Sequence, residues 1–277
     1  MVIKLERKYL VLADIHGDKE KLDDVLESSK QYEIDSVILN GDIKAYGQSF
    51  TSLGDILNKV RKSHECEVYV IPGSHEEKMN YDSTLKIFEE LGITDGTKKP
   101  TEDQGLKMVF VSGSDWFSDG GNYEMDLSQV SGIENDDKVL LVSHVPGYGL
   151  NDVAEFGQTT APIKTRNGIL ETGTVIPGYE QALELEKQGV PIKAKREHRG
   201  NKKLREIIEE RKIKFGISAH FHESPGLYNI INRSKVPENK FTDSLFYNPG
   251  PVLDKGDSGI YTIQLERGKL QAKAEKI

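Results

Sequence analysis

Five of the chain's seven histidines lie just beyond apolar runs, each beside an aspartate, a glycine or a second histidine. In order, LVLADIHGD carries Asp14 and His16, VILNGD carries Asp42, and VYVIPGSHE carries Ser74 and His75. VLLVSHVPG and FGISAHFH follow with His144, His220 and His222. Strands that end in a shared row bring the loops after them together. Separate segments can therefore build one polar cluster at the carboxyl edge of a sheet. The candidate ligands are carboxylates and imidazoles without a thiolate, a set that suits hard-to-borderline divalent metals.

The elements that would carry these loops are legible as periodic runs. Tyr9–Ala13, Ile34–Leu39 and Val68–Ile71 read as short apolar strands, separated by helices at Lys19–Ser29 and Phe50–Arg61. Such uniformly apolar runs are expected of parallel strands covered on both faces. Tyr81–Leu91 reads as a further helix, and Met108–Ser112 and Val139–Ser143 as two more strands. Trp116 and Phe117, which follow a strand, read as core. Between Pro146 and Gly200 the periodicity weakens, apart from a short helix at Tyr179–Lys187 and a basic patch at Lys193–Arg199. A connection this long inside a compact domain is usually a functional loop, so residues 147–200 read as an insertion or lid in a single domain spanning 1–277. Helix returns at Asn201–Lys212, a strand at Phe215–Ser218 leads into His220, and alternating segments from Leu227 to Ala274 suggest hairpins, one of them turning at Arg267-Gly268.

Composition narrows the class. A formal net charge of −8 argues against nucleic-acid binding through bulk charge. The single cysteine, Cys66, cannot form an intrachain disulfide, and Met1–Glu6 has no signal-peptide core, so a cytoplasmic location is expected. No run approaches the ~18 apolar residues of a membrane span. Nothing in the sequence sets the oligomeric state.

Asp14-x-His16, Gly41-Asp42, Gly73-Ser74-His75-Glu76, His144 and His220-x-His222, in this order and each behind a strand, closely resemble the calcineurin-like metallophosphoesterase family. The Asn248-Pro249-Gly250 turn resembles that family's tail, so the likeness covers nearly the whole chain. It implies an α/β fold, a four-layer sandwich of two mixed β-sheets flanked by helices. It also implies hydrolysis of a small phosphomonoester or phosphodiester with two divalent ions, Mn, Fe or Zn. Two such ions about 3.5–4 Å apart provide a nucleophile at neutral pH and neutralise the phosphoryl oxygens. By the same resemblance one ion takes Asp14, His16, Asp42 and His222. The other takes Asp42 as the bridge, Ser74, His144 and His220, and His75 protonates the departing oxygen.

Two departures from the family pattern stand out. Ser74 replaces an asparagine and Ala45 replaces a carboxylate that orients the catalytic histidine, a task Glu76 could assume. The shorter serine predicts a more loosely held second ion. Arg196 and Arg199, from the basic patch, are the expected substrate contacts, because a guanidinium fork matches phosphate. The competing readings are a non-catalytic interaction scaffold on the same fold, and a nuclease of that fold. The first would be marked by loss of metal histidines, and the second by an extended basic surface.

Overall fold

A computed structural model of the chain describes residues 5–44, 50–115, 123–134, 138–166, 168–253, 256–266 and 269–277. Ala45, Trp116, Phe117, the Arg267-Gly268 turn and the first four residues lie outside the described residues. The chain begins β1 (Leu5–Leu12), α1 (Lys19–Ser29), β2 (Ser36–Asn40), α2 (Phe50–Ser63) and β3 (Glu67–Ile71). Then come α3 (Lys78–Ser83), α4 (Leu85–Leu91), β4 (Ile93–Asp95), β5 (Thr101–Asp103), β6 (Leu106–Val111), α5 (Ser128–Ser131) and β7 (Val139–Ser143). The segment expected as a lid contains β8 (Val153–Thr159), β9 (Ile163–Thr165), β10 (Gly168–Leu170), β11 (Val175–Pro177), α6 (Tyr179–Lys187) and β12 (Ile192–His198). The remainder is α7 (Lys202–Glu210), β13 (Phe215–Ile217), β14 (Gly226–Asn229), β15 (Ser234–Lys235), β16 (Leu245–Asn248), β17 (Gly259–Glu266) and β18 (Lys269–Lys276).

Two mixed sheets form the frame. One has the order β18-β17-β1-β2-β3-β4, and the other β15-β14-β16-β13-β7-β6-β5. In the first, β1 through β4 are parallel while β17 runs antiparallel to β1. In the second, β6, β7, β13 and β16 are parallel. Strand alternation explains the layers. On β1, Leu10 and Leu12 face Leu22, Val25 and Leu26 of α1, whereas Tyr9 and Val11 face Phe110, Leu140 and Val142 of the other sheet. The far face of that second sheet, with Val109 and Leu141, packs against Leu204, Ile207 and Ile208 of α7. Each such fully buried side chain contributes about 1.5–3 kcal/mol. The order of layers is thus helix, sheet, sheet, helix, the expected four-layer α/β sandwich.

Local chemistry sets the element ends. Asp18 caps α1 by accepting from the Lys21 N–H at 3.0 Å, and Asn201 caps α7 by accepting from Leu204 N–H at 2.6 Å. The single helix expected over Tyr81–Leu91 is two, α3 and α4, which meet at Thr84, where the hydroxyl donates back to the Tyr81 carbonyl at 2.6 Å. The aperiodic stretch after Pro146 is organised rather than a bare loop. It forms the sheet β11-β8-β12 and a β9–β10 hairpin, with α6 packed on the sheet. Among the described residues no helix is long and apolar enough to cross a membrane.

Candidate metal centre

Five parallel strands deliver the polar loops. Asp14 and His16 follow β1, Asp42 follows β2, and Ser74 and His75 follow β3; His144 follows β7, and His220 and His222 follow β13. Because β1, β2 and β3 are neighbours in one sheet and β7 and β13 in the other, their carboxyl ends face one another across the sandwich. The backbone bends sharply to aim the side chains. Asp14, His16, Asp42 and His220 all take left-handed φ values, 50°, 48°, 48° and 72°. A non-glycine residue pays about 1–3 kcal/mol for such a conformation and keeps it only where the surroundings enforce it. Here they do: Asp14 N–H donates to Gly41 O at 3.2 Å, His16 N–H to Asp42 O at 2.8 Å, and His220 N–H to Asp14 Oδ2 at 3.1 Å. Gly41, itself at φ 78°, permits a close approach, since a methyl group there would overlap the His144 ring.

Asp42 is the hub. Its Oδ1 accepts from His75 N–H at 2.8 Å and its Oδ2 accepts from the Ser74 hydroxyl at 2.8 Å. The same Oδ2 lies 3.4 Å from His144 Nε2 and 3.9 Å from Nε2 of both His16 and His75. Asp14 Oδ1 lies 3.5 Å from His222 Nε2, which is 3.4 Å from His16 Nε2. Three groups therefore have ligand atoms within 4.8 Å of one another: Asp14–His16–His222, His16–Asp42–His75 and Asp42–His144–His220.

The donor set fits a divalent cation. His144 Nδ1 donates to the Asn40 carbonyl at 3.0 Å, which leaves the Nε2 lone pair pointing into the cluster. That Nε2 and Asp14 Oδ1 are both buried and make no hydrogen bond. Burial pushes the Asp42 carboxyl up, but the surrounding histidines, His144 foremost, hold it well below the usual carboxylate range. Burial works against a proton on His144, yet Asp42 overrides it and holds the imidazole up at about 9. Burial, and then the charge on His144, push His220 down to about 4. The pocket thus holds a proton on His144 where a metal would hold the same lone pair.

Three further buried side chains, Glu76, Asn40 and Asp152, hold the loops around the centre. Glu76, the candidate from sequence to orient His75, is fully buried and holds backbone amides. Its Oε1 accepts from the N–H groups of Ile43 and Lys44, and its Oε2 from those of Asp42 and Gly73, which ties the loops after β2 and β3 together. Four amides favour its ionised form, while burial and then Asp42 raise the carboxyl to about 7. Asn40 supports the centre from the opposite side, donating to Ser143 O at 3.0 Å and accepting from His144. Asp152 ties together the two ends of segment 149–200: Oδ2 accepts from Gly149 and Gly200 N–H at 2.9 and 2.8 Å, and Oδ1 meets His198 Nδ1 at 2.6 Å. Side chains serving backbone groups leave no spacing signature in a sequence, so Asn40 and Asp152 carried no signal there, whereas Glu76 stood out only through its motif.

A cavity of about 1000 Å³ opens over the cluster. His16, Asp42, Ser74, His75, His220 and His222 line one side, and Ala154, Phe156 and Val175 of the β11-β8-β12 sheet, with Arg199 just past β12, line the other. The two arginines expected at substrate part company. Arg199 lines this cavity, with its guanidinium 4.6 Å from the Phe156 ring centre and 3.0 Å from Glu197. Arg196 is not among the lining residues. It alternates to the α6 side of β12, where it pairs with Glu155 at 2.9 Å and lies over Tyr179.

Comparison with known proteins agrees with this architecture. The family model described as calcineurin-like phosphoesterase matches residues 7–224. A search of curated proteins finds no match. Among solved structures, a Thermus thermophilus protein is similar at 12% identity and a TM-score of 0.53, covering 97% of this chain and 98% of its own. A dimetal phosphatase from Danio rerio is similar at 11% identity and a TM-score of 0.52, covering 98% of each chain. At such identities the likeness is one of fold. With the family model spanning all five polar loops, the chain belongs to the calcineurin-like phosphoesterase family, whose members are metal-dependent hydrolases of phosphoesters.

Proposed function

We propose that the protein hydrolyses small phosphoesters at a dinuclear metal centre. The observation that carries this reading is the position of Asp42 between two ligand groups, Asp14–His16–His222 on one side and His144–His220 on the other. Asp42, with two carboxylate oxygens, is suited to serve both cations, whereas each imidazole offers one lone pair. Asp14, His16, Asp42 and His222 would hold one ion, and Asp42, Ser74, His144 and His220 the other. Mn, Fe and Zn all suit carboxylate and imidazole ligands. Bound there, two divalent ions supply phosphoryl charge neutralisation and an acidified water.

The chain's own groups supply the rest. His75 projects into the cavity with its side chain 33% exposed, anchored by its N–H on Asp42. From there its ring can give a proton to the departing oxygen. The Ser74 hydroxyl is engaged as a donor to Asp42, so only its remaining lone pairs face a cation. The histidine cluster speaks against a non-catalytic scaffold. The insertion speaks against a nuclease, because Lys195 and Arg199 pair with Glu197 and Arg196 pairs with Glu155, leaving no extended basic face there.

A metal-supplemented screen over p-nitrophenyl phosphate, bis-p-nitrophenyl phosphate, cyclic nucleotides and single-stranded DNA tests this. Hydrolysis of a small ester that disappears on chelation and returns with Mn, Fe or Zn is expected. Cleavage of DNA alone would move the protein to the nucleases, and no turnover by metal-loaded protein would overturn the catalytic reading.

A further inference from the structure

We infer that the inserted sheet β11-β8-β12 forms the leaving-group subsite, and that it selects uncharged leaving groups bearing a planar apolar ring. This deepens, and rests on, the phosphoesterase reading above. A phosphoryl group needs only the end of the cavity at the histidine cluster, yet the cavity continues to the inserted sheet and reaches about 1000 Å³. The lining of that continuation includes Ala154, Phe156, Val175 and Phe221, all apolar. Phe221 stands between His220 and His222 and packs with Ala154 and Phe156 in one buried cluster. The apolar wall is therefore continuous with the candidate ligands, and a phosphoester seated on the centre would project its leaving group along it.

Two observations define the chemistry of that group. Arg199 is the one lysine or arginine among the described lining residues, while Asp115 and Glu223 bring two carboxylates; the Glu155 carboxylate is taken by Arg196. The Arg199 guanidinium already meets Glu197 at 3.0 Å, so the subsite has little positive charge to offer a second phosphate or carboxylate. It lies over Phe156, 4.6 Å from the ring centre. A guanidinium backed by an aromatic ring presents its other face as a platform for a further ring. Arg199 is thereby a specificity-determining residue for the leaving group rather than a phosphate clamp.

The test compares phenyl phosphate, 1-naphthyl phosphate and 4-carboxyphenyl phosphate on metal-loaded protein, three phenols of similar acidity. Wild type is expected to prefer naphthyl over phenyl by about tenfold in kcat/KM, the usual return on burying one further fused ring. The carboxyphenyl ester should be several-fold worse than phenyl, although its phenol leaves more readily. Arg199→Ala should collapse the naphthyl-to-phenyl ratio towards one. Val175→Glu, a change at a half-exposed position that does not threaten folding, should lower the same ratio. Calorimetric binding of 1-naphthyl- and methylphosphonate supplies a readout independent of turnover, with tighter naphthyl binding in wild type that is lost in both variants. If none of the esters is hydrolysed but the phosphonate preference holds, the catalytic reading fails and the subsite stands. Hydrolysis with no naphthyl preference, or a ratio unchanged in both variants, overturns the subsite.

Discussion

Asp152 holds both ends of the segment that carries β8 to β12, so its replacement should loosen the cavity wall without touching the histidine cluster. In Asp152→Ala the buried Gly200 N–H loses its acceptor, a loss of about 1–3 kcal/mol. Gly149 N–H is partly exposed and recovers water, so its share is about 0.5–1 kcal/mol. His198 is half-exposed, and its contact is worth about 0–1 kcal/mol after solvent screening. Together these give about 3 kcal/mol. Amide exchange around residues 147–152 and 198–201 should then accelerate by about 100-fold if the insertion opens locally. If the chain unfolds as one unit, Tm should fall by roughly 6–12 °C instead. Asp152→Asn is the informative contrast. Its amide oxygen can keep both glycine donors, while its NH2 takes the place of Oδ1 beside His198 Nδ1. That variant should lie within about 1 kcal/mol of wild type. Hydrogen exchange followed by mass spectrometry, alongside thermal melts, reads both variants. An alanine variant indistinguishable from wild type, or equal losses for alanine and asparagine, would refute Asp152 as the pin.

Other outcomes follow from the centre itself. His75→Ala should lower kcat by about 10²–10⁴-fold for poor leaving groups and much less for activated aryl esters, with metal content unchanged; loss of metal instead would make His75 a ligand of the His16–Asp42–His75 group. Ser74→Asn should tighten the weaker of two sites and lower the metal concentration needed for half-maximal activity; two equally tight wild-type sites, unmoved by the substitution, would show that serine suffices. With His144 raised to about 9, the apo protein carries that proton at pH 7.5, and a ligating imidazole must shed it. Metal uptake should therefore release about one proton per chain or more, read as a dependence of calorimetric enthalpy on buffer, and this release should fade above pH 9.

The polar loops were legible because each sits at a strand end, and apolar runs such as Val37–Leu39 and Leu140–Val142 are buried on both faces. Helices Lys19–Ser29 and Tyr179–Lys187 fall where their periodicity puts them. The inserted strands were not legible, for reasons of packing. β12 reads Ile-Lys-Ala-Lys-Arg-Glu-His and is charged on both faces, so its order comes from seven-residue pairing with β8 rather than from an apolar stripe. In β8, Gly157 breaks the pattern because a Cβ there would stand 2.6 Å from Ala182 of α6. The left-handed turns at Asp14, His16, Asp42 and His220 follow from the loops' tertiary hydrogen bonds, which residue types alone do not specify. Arg196 and Arg199 looked equivalent in sequence; only strand alternation and the end of β12 separate the one that faces α6 from the one that faces the cavity.

The most direct measurement is a metal titration of apo protein by calorimetry and elemental analysis, wild type beside Asp42→Asn. Two equivalents of Mn or Zn per chain are expected for wild type, with both sites weakened by the single substitution. That result requires Asp42 to touch both ions, as its contacts with Ser74, His16 and His144 suggest. One equivalent in wild type, or a substitution that abolishes one site and leaves the other at full affinity, would contradict a shared carboxylate and the dinuclear centre built on it.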